Sequence, residues 1–174
     1  LNVLPAEDSW LHLSDFSLNR FGKFLAFAIL AIGLDLIWGY TGILSLGQGV
    51  FFGLGAYCMG MHLMLTIGKE SVYGSDLPDF MVWNQVKELP LFWQPFYSFP
   101  VALLGAVLVP MTFALVFGFL AFRSRIKGVY FAIITQALAL VAWLVFNRNE
   151  TNLGGTNGLT DFKDILGFQV QAGG

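Results

Sequence analysis

Few side chains in this 174-residue chain can take part in chemistry, and those few sit in apolar surroundings that narrow what they can do. Asp35 lies inside an apolar run over residues 21–40. A carboxylate at mid-depth of a bilayer costs roughly 2.5 to 3.5 kcal/mol on insertion scales, so Asp35 must face protein or water. Two readings stay open: a place on a solute path, or a structural bond to a neighbouring helix or the Thr41 turn. On a helix Asp35 would lie only about 7.5 Å from Tyr40, near the interface, where the cost shrinks. Gln48 and Gln136 are neutral amides, each able to donate and accept at once. They suit an uncharged polar solute, or equally an interhelical hydrogen bond worth about 0.6 kcal/mol on average. Tyr57 and Thr135 are weaker companions on the same path, because a hydroxyl in a membrane helix commonly bonds its own backbone carbonyl.

The other reactive groups carry less. His12 and His62 are far apart, without cysteine or carboxylate partners at ligand spacing, so no metal site is expected. Cys58 is the lone cysteine and lies in an apolar segment, which rules out an internal disulfide and leaves the redox compartment unread. No nucleophile, base and orienting group come together, so the chain reads as neither an enzyme nor a cofactor binder. Gly154-Gly-Thr-Asn-Gly158 looks like a phosphate cradle but lacks the lysine and does not follow a strand; it reads as a structured turn. Asn149-Glu-Thr151 fits the glycosylation pattern, here by accident.

The elements that must position these groups are helices in lipid. The chain is 56% hydrophobic and 11% charged, with mean hydropathy +0.70, whereas soluble domains carry about 25% charged residues. An all-α, polytopic transmembrane helix bundle follows, a single membrane domain over 1–174. Its four spans are expected at about 21–40, 43–67, 100–122 and 128–146, each near the roughly 20 residues needed to cross the hydrocarbon. Residues 1–19 form an interfacial lead-in. Residues 68–99, broken by Pro78, Pro90 and Pro95, form a long loop, either a binding cap or an interfacial cover. Trp83, Trp93, Phe96 and Tyr97 place part of it at the lipid interface. Pro110 can kink the third span, with neighbours satisfying the freed carbonyl.

The second span carries the assembly signal. At helical period Ser45, Gln48, Gly49, Phe52, Gly53, Ala56, Tyr57 and Gly60 share a small, polar face, and Leu46, Val50, Leu54, Cys58, Met61 and Leu65 share one suited to lipid. Ser45, Gly49 and Gly53 at steps of four let a second helix approach closely, with Gly60 on the same face. A net charge of −2 offers no basic field for nucleic acid. Three cations and no acid fall in 123–127, whose density marks that loop as cytoplasmic. The other six cations lie on the opposite face among all the acids but Asp35. The long loop is then extracytoplasmic. The chain opens without a visible signal peptide and reads as a piece of something longer.

Gly33-Leu-Asp-Leu-Ile-Trp-Gly-Tyr-Thr-Gly-Ile-Leu-Ser-Leu-Gly-Gln-Gly-Val-Phe-Phe-Gly-Leu-Gly-Ala-Tyr57, Gly128-Val-Tyr-Phe-Ala-Ile-Ile-Thr-Gln-Ala-Leu-Ala-Leu140 and Gly154-Gly-Thr-Asn-Gly-Leu159 resemble the permeases of branched-chain amino-acid ABC importers. The tryptophan-containing loop and the 148–162 segment resemble the urea-importing branch of that family. The resemblance implies a multi-pass subunit of the bacterial inner membrane. It also implies a second homologous permease subunit, two cytoplasmic ATP-binding subunits and an extracytoplasmic solute-binding protein. No Gly-x-x-x-x-Gly-Lys-Ser/Thr loop is present, so ATP is expected on a partner. The family's ATPase-docking loop belongs to a C-terminal half that this chain does not contain. The expected solute is urea or a short-chain amide; urea, neutral with two amino groups and one carbonyl, suits Gln48 and Gln136. The alternative solute is a branched-chain amino acid, and the alternative class is a non-transporting assembly subunit.

Overall fold

The computed structural model describes residues 15–68, 73–160, 162, 164–165 and 168–169. The chain folds as α1 (Asp15–Thr41), α2 (Gln48–Ile67), α3 (Asp79–Trp83), α4 (Phe99–Arg123) and α5 (Val129–Asn147). A small antiparallel hairpin of β1 (Asp164–Ile165) and β2 (Phe168–Gln169) follows. Among the described residues four stretches are long and apolar enough to cross a membrane: Arg20–Thr41 within α1, and the whole of α2, α4 and α5. At 1.5 Å per residue they reach roughly 28 to 38 Å, enough for about 30 Å of hydrocarbon. The architecture is an all-α polytopic bundle.

The second span begins later than its hydropathy suggests. α1 stops at Thr41 because Gly42 takes a left-handed φ of 64° and its N–H bonds the Trp38 carbonyl at 2.9 Å, a glycine C-cap. Residues 43–47 then run without helical structure although they are apolar. Their polar backbone is met from α5: the Leu46 N–H donates to Thr135 Oγ1 at 3.0 Å, and Thr135 Oγ1 donates to the Ala132 carbonyl at 2.9 Å. Irregular backbone within a membrane bundle persists only where protein or a cavity satisfies it.

α2 is the hub and lies antiparallel along α4. Phe51 meets Phe113 at 6.0 Å between ring centroids, Gly105 of α4 sits against Cys58, and His62 meets Phe99 at 5.5 Å. The tightest approach is at Gly55, where an added Cβ would lie 2.7 Å from the Ala106 carbonyl oxygen and 3.7 Å from Pro110. Proline at 110 removes the N–H that would bond the carbonyl four residues back, which is Ala106. The freed carbonyl therefore points at the one kind of residue that leaves room for it. α5 runs parallel to α2, with Tyr57 packed on Phe146 at 4.3 Å.

The well-buried core sits at the C-terminal end of α2. Met61, Met64, Leu65 and Ile67 pack against Phe80, Met81 and Trp93, with Leu153, Leu159 and Phe162 closing the edge. Trp93 is fully buried and its Nε1–H donates to the Asn152 carbonyl at 3.1 Å. It thus ties the loop before α4 to the segment after α5, away from the interfacial position expected of it. Trp83 and Tyr97 do remain exposed. The His62 Nδ1–H donates to the Phe96 carbonyl at 2.8 Å, which uses this buried histidine in the cap.

The helical wheel of α2 needs correction. Val50, Cys58, Met61 and Leu65, expected to meet lipid, are buried within the protein, Cys58 against Gly105 of α4 and Met61 and Leu65 in the cap core, and Leu54 is half-buried; Leu46 is exposed. Lipid tails are as apolar as leucine, so hydropathy cannot separate the two environments. Ser45 also precedes the helix and does not share its phase.

Candidate functional site

Where residues 43–47 depart from helical geometry, a cavity of about 510 Å³ opens. Ile37 and Thr41 come from the end of α1, Ile43 and Ser45 from the irregular segment, and Gln48 and Phe51 from the start of α2. Pro110, Met111, Ala114, Phe117, Gly118 and Phe122 of α4 and Phe131 of α5 complete the wall. It lies at the end of the bundle that carries Arg123–Lys127. None of the lining side chains is charged.

Three polar side chains reach this wall, in different states. The Thr41 hydroxyl is used locally, donating to the Ile37 carbonyl at 2.6 Å and accepting the Ile43 N–H at 3.2 Å. Ser45, buried at 5% exposure, and Gln48, half-buried, have no hydrogen-bond partner among the described residues. A hydroxyl and an amide with open valences on an apolar wall can fix the orientation of a small polar group while the rest of the wall accepts its apolar part.

The other expected path residues lie elsewhere. Thr135 is wholly buried with both roles of its hydroxyl taken; it stands behind the cavity and holds Leu46, hence Ser45 and Gln48, in place. Gln136 follows it on the exposed side of α5, and Asp35 is exposed on α1, no described side chain of which is buried. Tyr57 is half-buried against Phe146. The structure brings together Gln48 and Ser45, the latter read from sequence as a packing residue only. The signal that could have found it is the glycine pair Gly42 and Gly47 around an apolar run, which marks a break inside a span.

The expected packing residues divide as well. Gly60 touches Leu159, and an added Cβ there would come within 2.8 Å of Leu159 Cδ1. Gly49 and Gly53 face open space. The close backbone approaches of α2 and the segment before it are at Gly47, against the Thr135 carbonyl, and at Gly55.

At the opposite end two grooves of about 320 and 260 Å³ share Phe80, Trp83 and Asn157. The turn over 154–158 borders them, shaped by left-handed glycines at 154, 155 and 158 and a Gly158 N–H bond to the Gly154 carbonyl of 3.1 Å. It is a folded turn that belongs to the cap.

Four apolar spans, a non-helical segment between the first two and a cavity beside that segment are the features of a multi-pass membrane protein. Residues 17–172 match the family model described as the permease component of branched-chain amino-acid transport systems. The chain belongs to that family of ABC-transporter permeases. Membership implies a lipid bilayer and partner ATPase subunits. No curated protein and no solved structure matches the chain.

Proposed function

We propose that the chain forms part of the solute path of an ATP-driven importer and that the cavity beside Gln48 is a station on that path. The observation that carries this reading is the pairing of an unpartnered amide and hydroxyl with an apolar, uncharged wall. Such a site favours a neutral solute with a small polar head, and a short-chain amide fits it better than urea, which has no apolar part. A branched-chain amino acid is the second reading, favoured by the family description and by a wall able to take an aliphatic side chain. Its ammonium and carboxylate would need helix ends or unwound backbone as partners. Gln136, Tyr57 and Asp35 then serve contacts outside this cavity, and Thr135 serves the path by position.

In this reading the Arg123–Lys127 turn faces the cytoplasm of a bacterial cell and the Trp93 cap faces outward, where a solute-binding protein delivers its cargo. A second permease subunit covers the exposed faces of α1 and α5, and two ATP-binding subunits drive the cycle. The test is uptake of labelled urea, isobutyramide and leucine by cells carrying the full-length permease with its partner subunits. ATPase-dependent amide uptake that Gln48→Leu lowers at least tenfold, with Gln136→Leu as the comparison, supports the reading. Leucine uptake alone selects the second reading. Uptake indifferent to Gln48→Leu removes the cavity from the path.

A further inference from the structure

The turn between α4 and α5 holds Arg123, Arg125 and Lys127, all exposed. None of the three forms an ion pair among the described residues, where the salt bridge found joins Arg148 to Glu150. The backbone there closes helix α4 by a Schellman motif: the Arg125 N–H bonds the Phe122 carbonyl at 3.0 Å and the Ile126 N–H bonds the Ala121 carbonyl at 3.3 Å. The left-handed position of that motif is normally glycine. Here it is Arg125, at φ 55°. A cation kept where a side chain is disfavoured is an outlier from which a role can be argued.

Two further features point to the role. Arg123 folds back along its own helix to lie 5.7 Å from the Phe119 ring centroid, which holds the guanidinium at the depth where the apolar span meets the surface. Helix α5 starts immediately after the turn with no side-chain cap on its first N–H groups, so its positive end is open to an anion. Phe119 and Tyr130, both exposed, flank the cations with ring surface of the kind found at headgroup level. We propose that this turn is a binding site for the phosphate of an anionic phospholipid. The site recognises the uncompensated charge of a headgroup phosphate anchored in the membrane plane, which the choline ammonium cancels in phosphatidylcholine, and it needs neither the transport reading nor a particular orientation across the bilayer. Phe122 and Phe131, stacked at 5.5 Å just behind the turn, also line the cavity, so an occupied site stiffens one wall of it.

The test is native mass spectrometry of the full-length permease released from vesicles of phosphatidylcholine with phosphatidylglycerol. A cation near an anionic surface favours association roughly fivefold, so two engaged cations give enrichment of phosphatidylglycerol of at least about tenfold. That enrichment should shrink at high salt and fall to parity in R123Q/R125Q/K127Q, while R123K/R125K keeps most of it. Because removing all three cations can disturb insertion, Arg125→Gly is the decisive single variant. It supplies the residue the turn prefers, so the fold is secured, yet it should lower enrichment roughly fivefold. Equal retention of the two lipids by the wild type, or unchanged enrichment in Arg125→Gly, overturns the proposal. So does displacement of the lipid by millimolar inorganic phosphate, which would make this a soluble-anion site.

Discussion

Replacing Thr135 by valine isolates the contact on which the cavity's geometry rests. The change is nearly isosteric and removes one acceptor and one donor. The Ala132 carbonyl loses little, because in helix α5 it can still take the N–H of Gln136. The Leu46 N–H, in backbone that is not helical, loses its partner at 3.0 Å. A buried donor left unsatisfied costs about 1 to 3 kcal/mol. Side-chain hydrogen bonds in membrane proteins average nearer 0.6 and reach about 1.7. Because Thr135 is completely buried, the upper part of the membrane range applies, roughly 1.5 kcal/mol, or about tenfold in the population of the correctly placed segment. The expected result is a weaker half-saturation for uptake, by up to tenfold, together with a lower midpoint of thermal unfolding in detergent in the absence of solute. Thr135→Ser should recover both. If valine and serine behave alike, or if uptake suffers with no loss of solute-free stability, the hydroxyl does not position the segment.

Four other outcomes follow, three from the packing and one from the charge on α1. Gly55→Ala puts a methyl against the Ala106 carbonyl and should destabilise the α2–α4 pair by about 1 to 3 kcal/mol, seen as a lower detergent unfolding midpoint. Gly53→Ala, which faces open space, should stay within about 0.5 kcal/mol. Trp93→Phe keeps most of the apolar contact but loses the bond to Asn152, about 1 kcal/mol. Limited proteolysis of the cap should quicken while the spans stay protected. Asp35→Asn removes a charge from a span and should improve insertion in a translocon assay, by well under the mid-depth cost of roughly 2.5 to 3.5 kcal/mol because Asp35 lies towards the interface and asparagine is itself polar. Uptake that survives the change would place Asp35 off the path.

The spans were legible because twenty-residue apolar runs have few other uses, and the expected ends of the third and fourth lie close to those of α4 and α5. The start of α2 was not legible, since Ile43, Leu44 and Leu46 are as apolar as any helical residue. Only the Thr135 hydroxyl, remote in sequence, reveals that this backbone is satisfied from the side. The buried faces of Cys58 and Met61 were unreadable for a related reason: hydropathy reports dislike of water and says nothing about whether lipid or protein replaces it. Gln48 could be singled out as a rare amide in a span. Its cavity could not, because the wall is assembled from Ile37, Phe51, Met111 and Phe131 on four helices.

The cap clasped by Trp93 makes the molecule mechanically lopsided. One end of the bundle is a dense plug in which two distant segments are stitched across the end of α2, and the other is a thin-walled mouth beside the break. Local opening follows the density of buried contacts. Amide exchange should therefore be slow over Met61–Ile67 and fast over 43–47, and any rocking of the spans should pivot about the clasp and spread at the mouth. A load applied to the Arg123–Lys127 turn would then act on the compliant end of a lever whose fulcrum is Trp93.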